Sequence, residues 1–334
     1  MPTSPQNQLA RLLNGYWQTQ AIYVAAKLGI ADLLEHGPQS PEELANETGS
    51  HAPSLYRLLR ALASLGVFVE DEAGRFGLTP MAECLQRGVP GSKRATALML
   101  GEEHYRTWGE LLTAVQTGEN AFEKKFGMPF FDFLAQNPEK GRVFDEAMTS
   151  VHGRETEPMI DVYDFSEIER LADIGGGNGS LLSAVLGRYP DLQGMLFDLA
   201  GVIERARERF DAAGLTDRCR LLAGSFFEEV PGGADAYMLR HIIHDWDDEK
   251  AALILRNIVA VLPDDGRVLV LDSVIPPGNE PFAGKHMDLS MMLIPGGQER
   301  TEEEFRQLFA AAGLTLERIV PTATEVSVIE GRAR

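Results

Sequence analysis

Leu171-Ala172-Asp173-Ile174-Gly175-Gly176-Gly177-Asn178-Gly179 constrains the fold more than any other stretch, because an apolar run ends in an acid and breaks into glycines. Ser180, Leu181, Leu182, Ala184, Val185 and Leu186 follow at helical spacing, so the segment reads as strand, tight turn and helix, the opening unit of a doubly wound α/β sheet. Such sheets bind their ligand beyond the carboxyl ends of the strands. Asp198, in Phe197-Asp198-Leu199, lies nineteen residues past Gly179, the distance at which an acid grips a ribose hydroxyl pair. A dinucleotide fingerprint needs a sixth-position glycine, and counting from Gly175 that position is Ser180. Asp173 also places a carboxylate beside the turn, which repels a pyrophosphate and suits an ammonium. S-adenosylmethionine has that ammonium, a ribose and no phosphate, so it is the expected cofactor. The plain alternative is a glycine turn that only joins strand to helix.

At 334 residues the chain is longer than one core usually serves. Residues 9 to 35 form an apolar helical surface too broad for a solitary helix. Ser40-Pro41-Glu42-Glu43 and His51-Ala52-Pro53-Ser54 are helix starts, and Val67 to Leu78 reads as a hairpin around Asp71 to Gly74. Helix, helix and hairpin make a winged helix-turn-helix. DNA reading by it is disfavoured, since its second helix offers only Arg57 and Arg60 and the chain carries a net charge of −19. That charge argues equally against an anionic membrane. No apolar stretch reaches the roughly 20 residues of a membrane span, and the N-terminus lacks a signal pattern. Cys84 and Cys219 give neither a disulfide framework nor a zinc site, so a cytoplasmic location is expected. Three regions are expected: 1–93, the helical winged-helix region; 94–165, linking helices; and 166–334, the Rossmann-like sheet. In the linker Phe122, Phe126, Phe130, Phe131 and Phe133 are either core or the wall of an aromatic-ligand pocket. Beyond 166, strands are expected at 170–174, 194–197, 219–222, 234–239, 268–271, 316–320 and 325–330, the last two as an antiparallel closing pair.

Directly after the fourth of these strands stands Arg240-His241-Ile242-Ile243-His244-Asp245-Trp246-Asp247-Asp248, at the same carboxyl edge as the glycine turn. Two histidines three apart near acids are possible metal ligands, but the acids equally suit the start of the next helix. A general base is the better reading and no metal is expected, since histidine titrates near neutral pH and acids fix its tautomer.

The segments LADIGGGNG from Leu171, FDLAGVIERA from Phe197, GSFFEEVPGGADAYMLRHIIHDWDDE from Gly224 and GGQERTEEEF from Gly296 resemble the class I O-methyltransferases of plants and bacteria. That group includes caffeate and acetylserotonin enzymes and bacterial enzymes acting on polyketides and phenazines. The resemblance extends to a winged-helix dimerisation domain around LGIADLL and LYRLLRALASLGVF, and so implies a homodimer. It implies that His244 takes the proton of an aromatic hydroxyl, that Glu299 orients it, and that Asp272 stands where a second such carboxylate belongs. Asp198 matches the ribose acid; Gly175, Gly176 and Leu199 belong to the cofactor site with Asp173. Arg240 stands where plant enzymes have lysine, Trp246 lies near the adenine, and Ser225 and Phe226 replace a usual Asp-Met. The acceptor, a small aromatic hydroxyl compound, is expected against Phe144, Met148, Met291, Met292 and Asp245, with Tyr16 and Trp17 reaching across the dimer. Two other readings stay open: a methyltransferase-like decarboxylase or hydroxylase that uses S-adenosylmethionine, and a winged-helix regulator that senses it.

Overall fold

Serine and proline decide where the first helices begin. In the computed structural model, which describes residues 4–334, the Ser40 hydroxyl accepts from the Glu43 amide and the Glu43 carboxylate accepts from the Ser40 amide, a closed capping box ahead of the helix Pro41–Thr48. Gly49 ends that helix with a left-handed φ of 65°. The following helix, Ala52–Ala63, turns Leu55, Leu59 and Leu62 inward against Val67, Phe68 and Phe76. Each such side chain contributes about 1.5–3 kcal/mol relative to exposure. Phe68–Glu70 (β1) and Phe76–Leu78 (β2) pair antiparallel, and Asp71 holds the turn between them by accepting from the amides of Ala73 and Arg75. Helix, helix and hairpin therefore form as the sequence indicates. Ahead of them, Pro5–Leu13 and Gly15–Leu28 leave Leu9, Leu12, Leu13, Tyr16 and Trp17 more than half exposed.

All seven expected strands of the larger sheet form, five of them longer by one to three residues and β6 one residue shorter: Arg170–Ile174 (β3), Gln193–Asp198 (β4), Cys219–Ala223 (β5), Ala236–Arg240 (β6), Arg267–Ser273 (β7), Leu314–Pro321 (β8) and Val326–Ala333 (β9). Their order is β5-β4-β3-β6-β7-β9-β8. β3 to β7 run parallel, while β9 is antiparallel to both β7 and β8. Strand alternation divides the apolar residues between the two faces. Leu171, Leu196, Met238 and Leu269 fill one core, and Ala172, Phe197, Leu239 and Val268 fill the other. Burial on both faces explains why these strands read as continuous apolar runs. The order reverses between β3 and β6, which opens the crevice beyond their carboxyl ends.

The described residues divide into two units, one running up to Gly109 and adding Asn137–Val151, the other made of Glu110–Gln136 and His152–Arg334. The helices of 94–165 are thus shared between the units. In the second, Phe122 and Phe130 are buried and their rings pack with Phe126 and Phe133, while Phe131 lies 5.5 Å from the Trp246 ring. The phenylalanine cluster is core with one ring extended to the crevice wall. No helix among the described residues is long and apolar enough to cross a membrane.

Candidate active site

The turn after β3 is built around a carboxylate. Asp173 is 1% exposed and neither of its oxygens has a hydrogen-bond partner. Burial pushes its carboxyl up to about 7, against the pull of Arg240. A Cβ on Gly176 would lie 2.5 Å from the Asp173 Cγ, so the chain passes over this carboxylate only where a side chain is missing. At the end of β4, Asp198 accepts from the Gly177 amide at 2.9 Å and the Leu199 amide at 2.7 Å. Phe226 lies against the Gly175 backbone, and its carbonyl accepts from Asn257. The Trp246 ring stands 4.8 Å from Phe227 and 6.3 Å from Phe226. Ser225 Oγ accepts from the Phe227 amide, and Arg240 donates to Thr156 and Ser180. A buried carboxylate without a donor, a second acid on the next strand and an aromatic wall suit an ammonium, a ribose and an adenine. These residues fit S-adenosylmethionine.

His244 is held by the backbone around it. The chain leaves β6 through His241, the only non-glycine residue with positive φ among those described, at 53°. Such a conformation costs roughly 1–2 kcal/mol, and here a buried imidazole is fixed in it. A short 3₁₀ turn, Ile243–Asp245, then presents His244, and Asp247 caps the helix Asp248–Val259 by accepting from the Lys250 amide. Glu299 arrives from the far end of the chain. Beyond β7, Val274 pairs with Arg300 and the Ile275 amide donates to the Arg300 carbonyl, which extends the strand beside the turn. The Gln298 amide donates to the His244 carbonyl at 2.9 Å. A Cβ on Gly297 would sit 2.1 Å from that carbonyl oxygen, so the two segments meet this closely only at glycine.

The result is one imidazole among three acids. His244 Nδ1 lies 2.8 Å from Glu299 Oε1 and 4.0 Å from Asp272 Oδ1, and Nε2 lies 3.7 Å from Asp245. Burial opposes a charge on His244, but Asp272, Glu299 and Asp245 together outweigh it and push its pKa up to about 10. Burial holds Asp272 well above the usual carboxylate range despite the pull of His244, and pushes Asp245 up to about 6. Asp272 makes no hydrogen bond to His244, because an aspartate is one carbon too short for the gap. It stands instead 3.7 Å from His241 Nδ1. His241 Nε2 lies 2.8 Å from Glu155, and the His152 ring stacks on the His241 ring at 4.1 Å.

Of the remaining expected residues, Met291 and Met292 lie half-buried in the helix Gly284–Leu293, whose end is tied by the Gly296 and Gly297 amides donating to Met291. Phe144 and Met148 lie in the helix Pro138–His152, within the stretch that belongs to the N-terminal unit. Sequence reasoning missed Arg300. Its guanidinium is fully buried and donates to the carbonyls of Ile243 at 3.0 Å and Trp246 at 2.9 Å and to the Asp248 carboxylate at 2.9 Å, clamping the His244 turn. Its only signal was its place next to Glu299. It missed Glu155 and Gly297 as well.

The O-methyltransferase domain matches residues 108–315, and the O-methyltransferase dimerisation domain matches residues 10–88. The chain belongs to the O-methyltransferase family. It is a S-adenosylmethionine-dependent methyltransferase. The chain is 49% identical to the phenazine O-methyltransferase PhzM of Lysobacter antibioticus, over 97% of its own length and 95% of the relative's. The crystal structure of LaPhzM superposes with a TM-score of 0.96 at 48% identity, covering 99% of this chain and all of that one. NcsB1, an O-methyltransferase from neocarzinostatin biosynthesis solved with S-adenosylmethionine and 2-hydroxy-5-methyl naphthoic acid, matches at 35% identity with a TM-score of 0.85, over 95% and 96% of the two chains. The methyltransferase thus shares its architecture, end to end, with enzymes of aromatic natural products.

Gly297→Ala forces the Glu299 segment away from the His244 turn, and a misplacement of about 1 Å costs on the order of 10²-fold in rate. The expected outcome is a fall of that size in kcat/KM with S-adenosylmethionine affinity preserved, measured by steady-state kinetics and calorimetry.

Proposed function

We propose that this methyltransferase methylates a ring hydroxyl of a small planar aromatic acceptor of the phenazine or fused-quinone kind, with His244 as the general base. One observation carries the reading. Glu299 is an acceptor, so the 2.8 Å contact at Nδ1 requires that nitrogen to carry the ring proton, which leaves the Nε2 lone pair of neutral His244 facing outward as a base. The similarity to a phenazine O-methyltransferase supports the acceptor class.

S-adenosylmethionine supplies a methyl group on a sulfonium, already a strong donor. The work left to the chain is placement and proton removal. His244 Nε2 takes the hydroxyl proton as the acceptor oxygen bonds to the methyl carbon and the carbon–sulfur bond breaks. Glu299 keeps the imidazole in its reactive tautomer and balances the imidazolium that forms. Asp272 and Asp245 add negative charge around the ring. Asp173 pairs with the cofactor's ammonium, Asp198 with its ribose, and Ser225, Phe226 and Trp246 hold its adenine; Gly175, Gly176, Leu199 and Arg240 complete that binding surface. Met291 and Met292 shape the acceptor's surroundings, methionine being deformable against flat rings. The dimerisation domain and the exposed Leu12, Tyr16 and Trp17 support a homodimer. Two cysteines without a disulfide suit a reducing cytoplasm.

Mass spectrometry after incubation with S-adenosylmethionine and a panel of hydroxyphenazines, hydroxyquinones and phenols tests the function. A product one methylene heavier is expected; a product heavier by an oxygen or lighter by carbon dioxide contradicts it. His244→Ala is expected to lower the rate by on the order of 10²- to 10⁴-fold with cofactor affinity nearly unchanged. Asp198→Ala weakens cofactor binding by calorimetry instead.

The base must be neutral to act, so kcat/KM rises with pH as His244 loses its proton. Because the acids push its pKa upward from 6.5, the rising limb is expected above that value. Glu299→Gln removes one of them, and the limb is expected to move to lower pH together with a loss in kcat.

A further inference from the structure

Three side chains beside the catalytic turn carry four buried polar atoms without a partner. His241 Nδ1, both oxygens of Asp272 and Glu299 Oε2 are buried and have no hydrogen-bond partner. Asp272 is wholly buried and Glu299 is 5% exposed. His241 Nδ1 lies 3.7 Å from Asp272 Oδ1, and His244 Nδ1 lies 4.0 Å from the same oxygen. One donor atom from each of His241, His244 and Asp272 can be chosen so that all three fall within 4.8 Å of one another. Around a tetrahedral zinc with bonds of about 2.0–2.1 Å, neighbouring donors stand about 3.3 Å apart, so small side-chain rotations bring the three onto one ion. The outer shell is also in place: Glu155 lies 2.8 Å from His241 Nε2, the carboxylate–histidine arrangement that leaves Nδ1 free for a metal.

We propose that His241, His244 and Asp272 form a binding site for a divalent first-row metal, zinc above all, with Glu299 beside it at His244, and that the metal switches the enzyme off. Two imidazole nitrogens with a carboxylate and an open fourth position suit zinc or cobalt; magnesium and calcium take oxygen shells. The inhibition follows from proton accounting. Coordination through His244 Nδ1 displaces the proton that this nitrogen carries toward Glu299. The displaced proton is released to solvent or taken up at Nε2, where it fills the lone pair that removes the acceptor's proton. In the first case the buried metal holds the ring's remaining lone pair at lower basicity, and in the second the lone pair is gone. Methylation itself needs no metal at this site. The inhibitory half of the proposal rests on His244 being the base, whereas metal binding does not, so binding is measured without an acceptor.

The test is calorimetric titration of the purified full-length protein with Zn²⁺, together with the visible spectrum of the Co²⁺-loaded protein. One equivalent is expected to bind, with the intense absorption of four-coordinate cobalt. His241→Asn, whose side chain tolerates the left-handed backbone, and Glu155→Gln, which keeps His241 but weakens its outer-shell partner, are each expected to lower the affinity by about 10- to 100-fold. In turnover assays zinc inhibits the wild type, a chelator restores it, and His241→Asn resists the same zinc concentration. The proposal is overturned if no stoichiometric binding occurs, if cobalt shows only a six-coordinate spectrum, or if both variants bind zinc as the wild type does. Tight binding that depends on His241 but leaves turnover untouched keeps the site and overturns the switch.

Discussion

Burying an imidazole beside three carboxylates is costly unless the group gains a charge or a proton from the arrangement, and the architecture around His244 is organised by that requirement. The 2.8 Å contact between His244 and Glu299 joins residues 55 positions apart and fixes which ring nitrogen carries the proton. Backbone pairing, an absent side chain and one buried guanidinium bring them together. The parallel pairing of Val274 with Arg300 delivers Glu299 to the edge of the sheet. Gly297 lets its strand touch the His244 turn, and the buried Arg300 guanidinium ties down the turn's carbonyls. In the proposed mechanism a base held this way needs little reorganisation when the proton arrives, which is what a reaction limited by placement demands.

The cofactor side follows the same economy with opposite chemistry. Asp173 is kept without a protein donor at the base of the glycine turn, and Asp198 spends one lone pair of each oxygen on backbone amides. In the proposed reading one carboxylate is left for an ammonium and the other is rigidified for a hydroxyl pair. Both depend on β3 and β4 ending together, which their parallel register from Arg170 opposite Gln193 to Ile174 opposite Phe197 ensures.

Much of this was legible in the sequence because it is local. Leu171 to Leu186 declares strand, turn and helix within sixteen residues, and Ser40-Pro41-Glu42-Glu43 declares a capped helix start. The His244 turn was legible from its place after a strand. The acids near it resolved as the helix-start reading held for Asp247 and Asp248, whereas Asp245 stays beside the imidazole. What lay out of reach was long-range geometry. An aspartate at 272 already marks a side chain shorter than the glutamate of plant enzymes, but nothing in its spelling says that it faces His241. The role of Arg300 needs carbonyls from residues more than fifty positions away. Whether the phenylalanine run was core or crevice wall depended on which ring meets Trp246, and the answer differs from Phe122 to Phe131.

Nitrogen NMR of protein labelled in its histidine rings tests the central claim most directly, because it reads each imidazole nitrogen of His244 as the pH is raised. The structure predicts a resonance with Nδ1 protonated throughout and Nε2 losing its proton above 6.5, the ordinary value for histidine. A neutral form protonated at Nε2, or loss of the proton at or below that ordinary value, would contradict a base oriented and charged by Glu299.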